Sequence, residues 1–511
     1  MVPTPPPLLT QAEEPPAAAD PVFSREQVLR VITGILICML LGALDQTVVV
    51  PAVPAIAADL NSYGHLSWVI SAYLLTTTAA TPIYGKLSDL YGRRALLLPA
   101  IVWFVAASLL CGMAQSLPQL VAFRALQGLG GAGLLSMAQA SIADVVAPRQ
   151  RGKYQAYFSG VWAAASIGGP VLGGWITDAL SWRWIFWLNL PVGALAFIVS
   201  SRALRILPVR RVKAKIDYAG AILLTAVITC VLLILSWGGE TFPWLSWPIT
   251  ELGAGSLLAL WLLVLRERRA PEPLLPPRMF GNSVLSLGVA AGFLASACIF
   301  AAAFLLPLMF QLLYGASAAE SGGLVVPFLA GIVVGAFASG QAARRLGRGK
   351  ALMLGGFAAA AVGFLLLANV GENTNRALIV LYMAVASIGI GFCMPSSLVM
   401  VQNAAERQDV GTATAALLFL RSMGGAFGST LTGSLLATHF AARMAEGGLG
   451  ETFGLGVLRG HGATASLDAA ARMVARAALV SGFNLAFLTC ALLAAVGFLI
   501  TLPLRDLPLR A

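Results

Sequence analysis

Charge is scarce in this 511-residue sequence: 11% of its residues are Asp, Glu, Lys or Arg, against about 25% in an ordinary soluble domain. With 58% hydrophobic residues, the chain is too apolar for a soluble globular protein. Histidine occurs three times, at His65, His439 and His461, each in a connecting segment, which argues against a histidine proton relay. The cysteines Cys38, Cys111, Cys230, Cys298, Cys393 and Cys490 are scattered singly through apolar runs. Neither a disulfide framework nor a zinc site is indicated, and they read as small packing residues. No Walker sequence is present, so ATP cannot be argued as the energy source. Lysine is rare beside arginine, 5 against 28, which points to a GC-rich bacterial genome.

What is abundant is the long apolar run. Each is long enough to cross a hydrocarbon core of about 30 Å at about 1.5 Å per residue. The runs are continuous rather than alternating, so the spans are helices and not barrel strands. The fold class is all-α, a polytopic membrane protein with fourteen predicted spans: 31–54, 67–84, 95–114, 119–142, 155–177, 184–201, 218–236, 249–265, 285–312, 322–343, 351–369, 377–401, 411–437 and 479–502. The polar, Pro/Ala-rich stretch 1–29 reads as a disordered tail, and the run after it is too long for a signal peptide. With the N-terminus inside, 25 of the 33 basic residues fall on the cytoplasmic side and six outside. The positive-inside rule therefore places both termini in the cytoplasm. The net charge of +11 belongs to these loops and not to a nucleic-acid surface.

A short loop recurs. YGKLSDLYGRRA follows span two and SGQAARRLGRGK follows span ten, with glycines seven apart at Gly85/Gly92 and Gly340/Gly347 and a basic residue next, Arg93 or Arg348. This suggests a duplicated helical half. Six helices per half leave spans seven and eight as an inserted pair. The expected divisions are a tail 1–29, an N-terminal bundle 30–203, an inserted segment 204–278, a C-terminal bundle 279–503 with the outward loop 438–478, and a tail 504–511. AARMVARAAL in that loop suggests a short surface helix.

The G-x-G-x-x-G spacing of Gly128, Gly130 and Gly133 has no strand before it, so it reads as close helix packing rather than a nucleotide loop. SIGGPVLGG and SMGGAFGS space Gly169/Gly173 and Gly424/Gly428 four apart, and Pro170 can bend its helix. Two readings stand: packing alone, or a smooth bent face at the boundary between halves that lets them rock.

LDQTVVVPAVP, GKLSDLYGRR, FRALQGLGGAG and SIGGPVLGGWITDALSWRWIFWLNLPVG, together with the span count, resemble the major facilitator superfamily, and within it the fourteen-helix drug:proton antiporters. The resemblance covers residues 30–503 and implies two six-helix bundles plus two inserted helices, alternating access, and export of organic compounds in exchange for protons. It implies that Gly85, Asp89, Gly92 and Arg93 help close the cytoplasmic side and that Gly169, Pro170, Gly173 and Gly174 form the antiporter glycine-proline motif. Asp45 matches the acidic position of the first helix and Arg124 the arginine of the fourth. Arg344 replaces the aspartate of the repeated loop, so gating there should be weaker or use other partners. The implied setting is a bacterial cytoplasmic (inner) membrane, with protons, small amphipathic organic substrates and lipid as partners, no nucleic acid and no cofactor. The protein is expected to work as a monomer, with accessory export partners left open.

The intramembrane charges fit such a task. Asp45 is the only acid deep within a span, Glu251 standing at the edge of span eight. Burial raises a carboxylate's pKa and an arginine lowers it, so alternating exposure could move a proton on and off Asp45. Arg124 falls at similar depth, and pairing directly or through Gln127 is expected. Structural pairing alone, or proton coupling and substrate contact, remain the two readings. Asp89 and Arg93 form either a solvated loop pair or a gate in which Asp89 faces the N-terminus of a helix from the other half. Arg421 has no acid in the second-half spans, so it bonds helix carbonyls, snorkels, or contacts substrate or Gln402. Gln46, Gln127, Gln402 and Arg421 are the candidate cavity contacts.

The expected function is proton-coupled export of hydrophobic, preferentially cationic, drug-like compounds. A dedicated exporter of one metabolite, antibiotic or lipid is the alternative, and a non-transporting receptor or scaffold the alternative of another class. No nucleophile-base-metal arrangement suggests an enzyme.

Overall fold

The computed structural model describes residues 23–60, 68–146, 148–206, 217–238, 242–270, 273–274, 277–316, 318–346, 348–371, 374–446 and 469–505. Among these, regular structure is helical: α1 Arg25–Val48, α2 Val53–Asp59, α3 Trp68–Tyr91, α4 Arg93–Gly112, α5 Leu117–Val145, α6 Pro148–Ala179, α7 Arg183–Trp187, α8 Asn189–Ala203, α9 Tyr218–Trp237 and α10 Trp247–Glu267. There follow α11 Pro277–Phe280, α12 Ser283–Tyr314, α13 Ala318–Leu346, α14 Lys350–Leu367, α15 Arg376–Ala404, α16 Val410–Glu446 and α17 Ala469–Thr501.

Twelve helices among the described residues are long and apolar enough to cross a membrane, and the chain is a multi-pass membrane protein. Two more, α3 and α6, have 24 and 32 residues and fall outside that set. Their sequences are diluted by Thr76–Thr78 and by the Gly168–Gly174 stretch, so length is present without the same density of aliphatic side chains.

Local chemistry explains several boundaries. Ser24 and Gln27 close a capping box at the start of α1. Asp217 caps α9 and Asn282 caps α12. Pro51 and Pro54 follow α1, where the chain passes through one 3-10 turn into α2. Gly92, at φ 88°, makes the whole turn between α3 and α4; a side chain would be strained there. Asp89, expected in a connection of about ten residues, is therefore in the last turn of α3, because the helix runs on to Tyr91 and one glycine suffices to reverse it. AARMVARAAL is also helical, but as the opening of α17 rather than a separate surface helix, since no breaker separates it from the span. Residues 447–468 of that outward loop lie outside the described residues.

The helices gather into two groups. In the first, α5 packs on α3 and α4, and α1 on α5, α6 and α8. In the second, α12 packs on α16, α15 and α17, and α14 on α15 and α17. The groups meet along α3 with α16 and α6 with α13. The pair α9 and α10 packs mainly on itself, with α9 against both α3 and α16. Glycines set the spacing within each group. A Cβ at Gly130 would come within 2.8 Å of the Phe104 backbone, and one at Gly128 within 2.5 Å of the Tyr73 carbonyl, so these glycines are where α5 meets α4 and α3. Gly173 would meet the Val48 carbonyl and Gly424 the Phe293 carbonyl, both at 2.2 Å. The boundary reading of these glycines is thus corrected: they bring α6 onto α1 and α16 onto α12, inside each group.

Candidate functional site

The first group closes around a charged network. Asp45, in the last turn of α1, accepts at Oδ2 from Arg124 Nη1 at 2.7 Å. At Oδ1 it accepts from Gln127 Nε2 at 2.9 Å and from Asn189 Nδ2 at 2.7 Å. Arg124 and Gln127 are one turn apart on α5; Asn189 opens α8. Arg124 also donates from Nε to the Val69 carbonyl at 3.1 Å and from Nη1 to Gln127 Oε1 at 2.7 Å. Its guanidinium lies 4.3 Å over the Tyr73 ring, a cation–π contact. Asn189 donates on to Ser108 at 2.9 Å, which donates to the Phe186 carbonyl at 2.8 Å.

The Asp45 and Arg124 side chains are each 1% exposed. Both carboxylate oxygens are satisfied, the condition under which a buried ion pair survives desolvation. Removing one partner strands the other charge, so the network is stable when complete and costly when broken. Gln46, half-buried one residue on, faces the Tyr73 hydroxyl. Asn189 and Ser108 were missed in the sequence. A lone polar residue inside the apolar WLNLP run was the available signal, the same signal that drew notice to Asp45.

A second constellation joins the two groups at the face that carries most of the arginines. Asp89 accepts from the Gly411 N–H at 3.0 Å, the Thr412 N–H at 2.7 Å and the Thr412 hydroxyl at 3.0 Å. These are the first amides of α16, unpaired within their own helix and at its positive end. Arg93 reaches Asp89 at 2.7 Å and Asp144 at 2.9 Å, and also bonds the Ser88 hydroxyl. Gly85 permits the approach: a Cβ there would stand 2.3 Å from that of Ala415 and 2.9 Å from the Gly411 carbonyl. The motif thus acts as a unit, with Gly85 admitting α16, Gly92 turning the chain, and Arg93 holding Asp89 against the helix end. Nearby, Gln402 donates to the Gln139 carbonyl at 3.4 Å and the Thr414 hydroxyl at 3.1 Å. Leu285, Val289, Leu398, Val401 and Leu417 of the second group pack with Ala143 of the first.

The remaining candidates are separate. Arg421 of α16 donates from Nη2 to the Met394 carbonyl and to the Ser397 hydroxyl, the latter at 2.7 Å. Gly169 faces Thr47, whose hydroxyl bonds the Ala165 carbonyl at 2.8 Å. Pro170 is exposed, and a Cβ at Gly174 would meet nothing within 4 Å. At the opposite face Asp59 accepts from Arg183 and Trp182. The Arg183 hydrogen bond, then that of Trp182, holds its carboxyl below the usual range.

The Major Facilitator Superfamily profile matches residues 35–429. Over 407 residues the chain is 37% identical to the multidrug transporter protein MdtP of Bacillus subtilis, spanning 79% of this chain and 74% of that protein. It is 35% identical over 416 residues to multidrug resistance protein 3 of the same species, covering 81% and 80% respectively. Among solved structures, the proton:xylose symporter XylE bound to 6-bromo-6-deoxy-D-glucose superposes with a TM-score of 0.62 at 14% identity, covering 95% of this chain and 97% of that one.

Proposed function

Because the chain belongs to the major facilitator superfamily and is a transporter rather than an enzyme, we propose that it exports hydrophobic, drug-like compounds in exchange for protons by alternating access. The relatives named as multidrug transporters favour the substrate class. Proton exchange is carried by one observation, the sealed Asp45–Arg124 pair with Gln127 and Asn189. In this conformation Arg124 and two side-chain amides occupy both oxygens of Asp45. A rearrangement that draws Arg124 away leaves an unpaired buried acid, which takes up a proton. Re-formation of the pair expels it.

We read the arginine-rich face as cytoplasmic, the membrane as a bacterial inner membrane, and fourteen helices as crossing it, α3 and α6 included. Residues 30–203 and 279–503 are the two moving halves, and α9 and α10 the inserted pair. Asp89 on the α16 N-terminus, Gln402 on Gln139 and the apolar plug around Leu417 are the closed cytoplasmic gate. A cationic substrate meets Asp45 only after Arg124 has left it.

The test is reconstitution into liposomes with an imposed pH gradient, comparing native protein with Asp45→Asn across cationic, neutral and anionic compounds. Gradient-driven transport is expected only with the native protein. Transport by D45N at native rates removes the proton role from Asp45.

A further inference from the structure

We infer, resting on the transport reading above, that Arg421 is the docking point for an oxyanion on the exported compound, which makes amphipathic acids the favoured substrates. Arg421 lies 11 residues into α16, about 16 Å along the helix from its arginine-rich end. On the predicted span 411–437 this places Arg421 well inside a hydrocarbon core about 30 Å thick, away from the lipid headgroup phosphates. A full positive charge at such depth is costly unless something compensates it.

The two intramembrane arginines are treated differently. Arg124 is paired with Asp45. Among the described residues Arg421 has no carboxylate partner; its polar neighbours are the Met394 carbonyl and the Ser397 hydroxyl, both on Nη2. These acceptors aim the guanidinium without neutralising it, and its Nε is buried with no acceptor. Five N–H donors in a planar fork are therefore underused.

The location suits a ligand. Leu417, one turn nearer the arginine-rich face, and Leu420 belong to the apolar plug that meets Ala143 of the first half. Arg421 stands just beyond this plug, only part-buried, beside Gly292 of α12, where a Cβ would lie 3.4 Å from Nε. The Phe293 and Phe427 rings meet at a tilt, centroids 5.7 Å apart, on the same two helices. One fixed cation beside the apolar plug, on helices that also carry the Phe293 and Phe427 rings, matches a greasy body carrying one carboxylate, sulfonate or phosphate. Asp45 offers a cation no equivalent, since its oxygens already hold three donors.

The test uses purified full-length protein in detergent and a matched pair of fluorescent probes, dansylglycine and its methyl ester, with tetraphenylphosphonium as the cation. Native protein is expected to bind the acid more tightly than the ester. Arg421→Gln should weaken the acid by about 10- to 100-fold, the range of a lost charge-assisted hydrogen bond, and leave ester binding within about twofold. Arg421→Lys should retain part of the acid preference, because it keeps the charge and loses the fork. Failure of the acid to bind, equal affinity for acid and ester, equal loss of both in R421Q, or tighter binding of tetraphenylphosphonium than of the acid each overturns the assignment. In proteoliposomes, Asp45-dependent movement of the ester with no acid preference overturns Arg421 alone. Arg421-dependent acid binding with no gradient-driven movement of either probe supports the site and overturns the transport reading.

Discussion

Asp89→Asn replaces one carboxylate oxygen by an NH2 group in the contact between halves, and the geometry sets how much that matters. The carboxylate accepts two main-chain amides and one hydroxyl from the start of α16. An asparagine keeps one oxygen and turns its NH2 toward the other donors. The loss comprises a favourable charge at a helix N-terminus, up to about 2 kcal/mol when partly buried, and a charge-assisted hydrogen bond of about 1.5–3 kcal/mol. The two overlap, and Arg93 keeps Asp144 at 2.9 Å. About 2–4 kcal/mol against the joined state is a reasonable total, a shift of roughly 30- to 1,000-fold in the equilibrium. Spin labels at Ala95→Cys and Gln408→Cys, both exposed positions, report it as a distance distribution once the part-buried native Cys230 is replaced. D89N should move the distribution to longer distances and slow turnover in liposomes, while substrate affinity changes by less than about threefold, if Asp89 holds the proposed gate rather than the substrate. An unchanged distribution together with native turnover refutes the gate.

Asp45→Asn strands Arg124 at 1% exposure, so it should lose about 3–5 kcal/mol of stability as well as gradient-driven transport; the double variant D45N/R124Q should recover much of the stability in thermal denaturation and none of the transport. Gly173→Ala drives a Cβ to 2.2 Å from the Val48 carbonyl and should cost about 1–3 kcal/mol, whereas Gly174→Ala, with nothing within 4 Å, should leave melting temperature and transport unchanged. Asp59 has a lowered pKa, so its contribution is present above the ordinary carboxylate range and disappears as pH falls through the lowered value; with 47% of its side chain exposed, D59N should cost under about 0.5 kcal/mol at pH 7 and nothing in acid, read from melting curves at both pH values. A cysteine at position 210 should stay unlabelled by an impermeant reagent applied to intact cells, and strong labelling reverses the topology.

Fold class was readable because hydrophobic run length is a local property, and the family because its motifs are contiguous. Pairing of Asp45 with Arg124 could be anticipated from two rare charges at like depth in a medium that penalises both. The partners of Asp89 could not be named: Gly411 and Thr412 are more than 320 positions away and carry no charge or motif, being a helix start whose amides act through position. The same limit hid the role of the glycines at 169, 173, 424 and 428, where four-residue spacing reveals a packing face but not the helix it packs on. Thr76–Thr78 and the glycines of α6 lower the hydropathy of α3 and α6, which is why these two helices stand out less as spans.

The placement of α9 has a mechanical corollary. Thr430 of α16 donates to the Leu235 carbonyl of α9 at 2.8 Å, Trp68 of α3 meets Trp237 of α9 edge-on at 6.0 Å, and Ala79, Leu224 and Ile228 share one apolar cluster with Phe419. One helix is thus attached to both sides of a seam that shears if the halves swing as proposed. Any such swing has to peel α9 from one side, so it travels as a passenger of the other, and the stroke carries the drag of an extra helical hairpin through the lipid. The main contacts of α9 and α10 lie with each other, α3 and α16 rather than at the α6/α13 seam. Two joints of unequal stiffness favour hinging about the stiffer one, so the path should gape more widely along α6 and α13 than along α3 and α16.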